Sequence, residues 1–278
     1  MSAPLFGRWR HDPEFWLELE YRKRRQAFGS WGKGGGYFMG APHQALLMAS
    51  GAGDPYFSSV VLLINPSGSN GSTTFTDLSP VARTLTTVGG AQHDTSITKF
   101  TSSSMKFDGS SDNITAADSN DWDFPSKATL EVWVYPTTVS SLRFILSHRN
   151  VSGTNPAWFL DMNSSGKVVW NVEAVTVVSA TSTNSLSINT WSFVQVGLTD
   201  DGALGGSPNT RTHLYINNSF EAELQSTLPS GNGNGLLYIA TSSGEAGSRD
   251  WQGNLGPTRI TKGVLRSFAL PLDAFPTS

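Results

Sequence analysis

Cysteine is absent from this 278-residue sequence, and methionine is sparse, at five residues. The first absence excludes a disulfide framework and thiolate metal sites. It leaves the compartment open, because a chain this long can bury a core without covalent staples. No run approaches the eighteen apolar residues of a membrane-crossing helix, so no membrane span is expected. After Met1 the segment SAPLFGRWRHDPEF is already charged and broken by proline, which does not read as a secretory core. An excess of basic residues is missing too: the net charge is -3 and the pI about 5.9, which disfavours a nucleic-acid partner and points to protein or glycan. No serine lies on a G-x-S-x-G elbow. The glycine run Gly34 to Gly36 lacks both the Lys-Ser/Thr ending and the preceding strand of a phosphate loop.

Glycine and the turn formers are plentiful: 28 Gly and 14 Pro, with Ser, Thr and Asn runs between short apolar stretches. Such a chain predicts many strands joined by turns. The most informative stretch is KATLEVWVY, Lys127 to Tyr135. Leu130, Val132 and Val134 alternate there with Glu131, Trp133 and Tyr135, one aliphatic face and one aromatic face, and Pro136 ends the run. An inner strand of a sheet packed on a second sheet fits this pattern. Glu131 is expected to be held by local hydrogen bonds at the strand start.

Further strands are expected at Val60 to Ile64, Thr84 to Val88, Leu142 to Ser147, Ala157 to Asp161, Val168 to Val172, Val175 to Val178, Trp191 to Leu198, Thr212 to Ile216, Leu236 to Ala240 and Leu255 to Thr261. Ser104 to Phe107 and Asn113 to Ala116 read as a pair joined by the tight turn Asp108 to Asp112, and Asn163 to Gly166 as a hairpin turn. A dozen or so short strands without intervening helices predict an all-β, two-sheet antiparallel jelly-roll sandwich over residues 59–278.

Residues 1–58 differ. They hold seven Lys or Arg against five Asp or Glu, and three of the nine Trp. One short helix after Asp12 and Pro13 is expected. The stretch FGSWGKGGGYFMG has no period and cannot form a core of its own, which reads as an extended attachment arm. Trp9, Phe15, Trp16, Trp31, Tyr37 and Phe38 would anchor it on a partner, with Arg22 and Arg24 pairing to acidic residues.

Five blocks in order, FDGSSDNI from Phe107, ATLEVWVYP from Ala128, WSFVQVGLTDDG from Trp191, THLYINNS from Thr212 and WQGNLGPTRITKGVLR from Trp251, resemble the concanavalin A-like lectin/glucanase superfamily. Within it the likeness is to laminin-G-like jelly rolls, including those borne by structural proteins of tailed bacteriophages. The resemblance implies a non-enzymatic virion protein, a tail fibre, spike or capsid-decorating component assembled in the host cytoplasm. Its arm would dock on other capsid or tail subunits and its jelly roll would project, with host-surface carbohydrate as a further partner and homo-oligomerisation suiting a projecting spike. The alternative is a free carbohydrate-binding, lectin-like module, with glycoside hydrolysis third. Hydrolysis needs two carboxylates at about 5 to 9.5 Å, and around Glu131 no second acid stands. Glu221 and Glu223 read as the solvated face of a returning strand. His148 and His213 read as structural. Sugar stacking would use Trp122, Trp158 and Trp251. Laminin-G-like domains often bind calcium, and the oxygen-rich positions Asp108, Asp112, Asp161 and Asn163 are the candidate ligands.

Overall fold

The computed structural model describes residues 53–124, 126–149, 157–173, 177–200, 209–227, 235–245, 247 and 249–278. The chain divides into two units, Met1–Leu47 and Met48–Ser278. The expected helix after Pro13 and all the arm residues named above lie outside the described residues.

The second unit is a sandwich of two antiparallel sheets. Its strands are β1 Val60–Ile64, β2 Leu85–Val88, β3 Gln92–Asp94, β4 Ser104–Asp108, β5 Asn113–Ala116, β6 Ala128–Pro136, β7 Arg143–His148, β8 Ala157–Met162, β9 Lys167–Glu173, β10 Val177–Ser185, β11 Ser192–Asp200, β12 Asn209–Ile216, β13 Ser219–Thr227, β14 Leu237–Ile239 and β15 Gln252–Lys262. One sheet runs β13-β12-β11-β6-β15-β4-β3, with β1 added beside β15, and the other runs β10-β9-β8-β7-β14-β5-β2. The all-β sandwich expected from the strand rhythm is therefore the fold. β6 is central, paired with β11 on one side and β15 on the other. Its aliphatic face points inward: Leu130, Val132 and Val134 meet Val194, Val196, Leu214 and Ile216 of their own sheet and Leu146, Leu160 and Trp170 of the facing one in a single core.

Three local expectations need correction. Asp108 to Asp112 does not close a hairpin, because β4 lies in the β6 sheet and β5 in the other. The turn instead carries the chain across the sandwich. It is held there by long-range ties: the Asp112 carboxylate accepts from the Gly90 and Asp108 backbone N–H groups, and Asp250 accepts from Ser111 N–H at 2.5 Å. Glu221 is not solvated. A register shift between β12 and β13 near Leu214 and Tyr215 makes it a bulge residue, off the face of Glu223. Its buried carboxylate accepts from the Asn184 N–H at 2.8 Å and the Asn184 side chain at 2.9 Å, tying the edges of the two sheets together. Last, the boundary expected at residue 58 falls earlier. Asp54 already belongs to the sandwich, its N–H donating to the Ser278 carbonyl at 2.6 Å.

Two turns follow their sequence signals closely. Asn163 accepts from Ser165 and Lys167 N–H across the β8–β9 hairpin. Asn217 and Asn218 take φ of 50° and 67° between β12 and β13, the left-handed pair that asparagine tolerates. At Gly253, where φ is 132°, a Cβ would stand 2.2 Å from the Tyr135 carbonyl oxygen. Only glycine lets β15 lie this close to the end of β6.

Candidate functional site

The outer face of the β6 sheet carries Glu131, Trp133 and Tyr135, and the chain treats its two ends differently. Over the Glu131 end lies a strap formed by residues 263–278. Thr129 Oγ1 donates to the Val264 carbonyl at 2.9 Å and accepts from Arg266 N–H at 2.9 Å. Gln195 Nε2 donates to the Ser267 carbonyl at 3.1 Å. Phe268 stacks on Tyr215 at 4.0 Å, in the space left by Gly197, where a Cβ would meet the Phe268 ring at 2.6 Å. The strap returns through Phe275, buried beside Phe193 under the Arg259 guanidinium.

Beneath this strap sits a buried charge cluster. Arg259 Nε and Nη2 donate to the two Glu131 oxygens at 2.6 and 2.9 Å, and its Nη1 donates to Asp54 at 3.1 Å. Arg266 donates to both Asp54 oxygens at 2.9 and 2.7 Å. Burial pushes the Asp54 pKa up, but hydrogen bonds from Arg266 and Tyr56 and the charges of both arginines outweigh it, leaving it below the usual carboxylate value. Glu131 is thus held by a partner 128 residues away rather than by local hydrogen bonds at the strand start. With both oxygens on Arg259, it is not free to act as a glycosidase acid or base, and the acid sharing that arginine is locked as well. The site is non-catalytic.

The other end is open. Trp191, just before β11, lies against Tyr135 with ring centroids 5.3 Å apart, and both rings are half-buried. Trp133 is buried beside them, packed on Phe193 at 5.2 Å. The loop between β3 and β4 brings Phe100 edge-on to Trp133 at 5.4 Å. Phe100 is 39% exposed and has φ of 66°, a left-handed conformation that costs a bulky side chain of order 1 to 3 kcal/mol. The neighbouring Lys99 ammonium rests 4.1 Å from the Trp133 ring centroid and 4.4 Å from that of Phe100. Gly256, in the β15 bulge, makes this convergence possible: a Cβ there would fall 3.0 Å from Trp133 Cβ, 3.2 Å from the Trp191 ring and 3.4 Å from Lys99 Cβ.

A polar row continues from Tyr135 across the sheet through Asn254, Lys106 and Gln92, register partners on β15, β4 and β3. Asn254 donates to Ser104 at 2.8 Å and to Asp94 at 3.2 Å. Burial raises the Asp94 pKa, yet hydrogen bonds from Ser96 and Asn254 and the Lys106 charge bring it below its ordinary value, so Lys106 faces a carboxylate. With Asn254 buried beneath the row, the whole is an aromatic platform bordered by the Gln92 amide and the Lys99 and Lys106 amines, the chemistry that stacks on sugar C–H faces and meets hydroxyls.

Of the residues singled out from sequence, Trp122, Trp158 and Trp251 are at most 1% exposed and belong to the core. Their rings face the sandwich interior, so the stacking role expected of them is not theirs. Trp158 donates its indole N–H to the Trp122 carbonyl at 2.7 Å. His148 is buried near Asp118 and Asp123, and His213 faces Glu223. The four calcium candidates are not brought together as one group. Asp108 and Asp112 serve the crossing turn, Asn163 serves its own hairpin, and Asp161 lies on the outer face of the β7–β9 sheet, accepting from Asn171 Nδ2 at 2.8 Å. Among the described residues no three His, Asp or Glu side chains converge in a manner that would hold a metal ion.

A family model described as the concanavalin A-like lectin/glucanases superfamily, of laminin G type, matches residues 108–267. No curated protein matches the chain. Among solved structures, domain 4 of the extracellular arabinanase AbnA from Geobacillus stearothermophilus, in complex with arabinotriose, is similar with a TM-score of 0.51 and 13% identity, over 66% of this chain and 84% of that one. The binding domain of botulinum neurotoxin serotype D matches with a TM-score of 0.55 and 14% identity, over 77% of this chain and 51% of that one. The binding domain of botulinum neurotoxin DC, in complex with SialylT, gives 0.53 and 15%, over 76% and 49%. The chain spans about half the length of these neurotoxin binding domains, and at such identities the likeness is one of fold. Because the family model covers more than half of the sequence, the chain is a lectin-like jelly-roll module that belongs to the concanavalin A-like lectin/glucanase superfamily.

Proposed function

We propose that the sandwich is a non-catalytic carbohydrate-binding module whose binding surface is the open end of the β6 sheet's outer face. The observation that carries this reading is the Tyr135 and Trp191 pair, two half-exposed rings side by side on a surface whose other half is closed by the strap. Large aromatic rings are kept from water wherever packing allows, and here a glycine at 256 makes room for them on the surface. Arabinotriose bound to domain 4 of AbnA shows that a fold of this kind can carry an oligosaccharide, which supports the reading without locating the site. On a glycan array the full chain should bind at least one oligosaccharide class, and the Tyr135→Ala/Trp191→Ala variant should lose that binding by more than about tenfold, each stacked ring contributing roughly 1 kcal/mol or more. A wild type that binds no glycan, or a variant that binds as well as wild type, would remove the basis for this proposal.

Particle attachment is the second reading, and it rests on residues 1–58 alone. Three tryptophans and seven basic residues in that stretch suit docking on a capsid or tail subunit. Deleting residues 1–52 should then leave a folded sandwich, with Asp54 retained for its arginines, that no longer incorporates into particles on co-expression with them. Equal incorporation of both forms would place attachment on the sandwich instead.

A further inference from the structure

We infer that the glycan taken by this platform is acidic, a carboxylate-bearing saccharide, and that Lys99 is the residue that selects it; the inference rests on the binding surface just proposed. Lys99 differs from the other amines near the platform. Lys106 faces Asp94, whereas burial alone shifts the Lys99 pKa, downward, with no carboxylate contributing. No acidic side chain among the described residues pairs with the Lys99 ammonium; its recorded contacts are the faces of Trp133 and Phe100. A partly desolvated cation without a counter-ion is costly for a protein to hold. Here the cost is combined with a left-handed Phe100 at the adjacent position, so the loop keeps two unfavourable features together. A third lies beneath them: the Trp133 indole N–H is buried without an acceptor.

An arriving sugar carboxylate satisfies the cation directly, at a point where no carboxylate of the described residues pairs with it. The pyranose ring packs against the Trp191 and Tyr135 rings, whose planes are inclined at 55°, and its carboxylate turns toward the loop between β3 and β4. Charge-assisted hydrogen bonds of this kind are about twice as strong as neutral ones, and partial burial shields them from salt. Neutral glycans retain the stacking but leave Lys99 unpaired.

The test uses the full chain and matched probes: galacturonate oligomers against galactan oligomers of the same length, and sialyllactose against lactose, so that a uronic acid and a sialic acid source are separated. At least one acidic probe should bind about tenfold or more tightly than its neutral counterpart. Lys99→Met, which keeps an unbranched side chain across Trp133, should erase that preference, and Lys99→Arg should retain it. Equal binding of acidic and neutral members, or a preference that survives Lys99→Met, would overturn the assignment of Lys99 while leaving the platform intact. Loss of all binding in Tyr135→Ala/Trp191→Ala alone reports on the platform, and absence of any binding by wild type would sink both.

Discussion

Glu131→Ala is expected to destabilise the sandwich by about 3 to 5 kcal/mol, a large share of the stability of a domain. The cluster under the strap balances two carboxylates, Asp54 and Glu131, against two guanidiniums, Arg259 and Arg266, all nearly excluded from water. Removing Glu131 leaves a buried excess positive charge and strips Arg259 of two hydrogen bonds. Replacing Glu131 and Arg259 together by methionine restores neutrality with Asp54 still on Arg266, and should recover most of the loss. Chemical denaturation of the three proteins checks this. A single-variant loss below about 1 kcal/mol would mean that water compensates the arginine, and that the strap is not held by this cluster. Acid probes the same element. The Asp54 pKa is depressed in the fold, so its contribution is present above the unfolded value of 3.8 and is lost as pH falls through the lowered one.

Asp161→Asn is expected to have the opposite sign and a pH dependence of its own. Asp161 is buried on the outer face of the second sheet, and burial raises its pKa to about 7, the Asn171 hydrogen bond and the Arg249 charge offsetting only part of that. A carboxylate whose folded pKa is raised from 3.8 holds its proton in the native state after the unfolded chain has lost it. Stability therefore falls as pH rises from about 4 to 7, and stays at the lower level above 7. A shift of about three units corresponds to at most about 4 kcal/mol. The variant should match wild type near pH 4 and exceed its stability at pH 8 by up to that amount, with the gap opening between those values. Thermal melts at a series of pH values read this directly. A difference that stays constant with pH would show that Asp161 is already ionised at pH 5 or that its effect is one of packing.

These two sites also show what the sequence made legible. The alternation in β6 identified a central strand with an aliphatic inner face, because a half-buried strand writes its period of two into adjacent residues. The turn at Asn163 was legible for a similar reason, its chemistry being local. The crossing turn at Asp108 to Asp112 was not: five turn residues look the same whether the chain folds back in one sheet or changes sheets, and the ties to Gly90 and Asp250 that decide the matter come from elsewhere in the chain. Glu221 was misread because one inserted residue in β13 moves a side chain off its expected face without leaving a mark in composition.

The proposed binding surface was half legible. Trp133 and Tyr135 stood out as the aromatic face of β6, but which ring stays at the surface depends on what covers it, and the covering residues come from the β3–β4 loop, from Trp191 and from the C-terminal strap. Trp122, Trp158 and Trp251 looked equally available from sequence because a tryptophan in or beside a short strand carries no mark of the side it faces; Trp158 lies in β8, Trp122 in a tight turn and Trp251 just before β15. For Trp158 the separating signal is alternation: like Trp170, it shares the phase of the aliphatic residues in its strand, and so points with them into the core. Gly256 offered no signal of its own, since its role appears only when Trp133, Trp191 and Lys99 are seen around it.

The most direct test of the account is a crystal structure of the domain soaked with the oligosaccharide that binds most tightly on the array. A sugar ring should lie against Trp191 and Tyr135 with its acidic group within hydrogen-bond distance of Lys99 Nζ. A glycan found instead on the outer face of the β7–β9 sheet near Asp161, or at the rim loops, with the Trp191 and Tyr135 rings unoccupied, would contradict it.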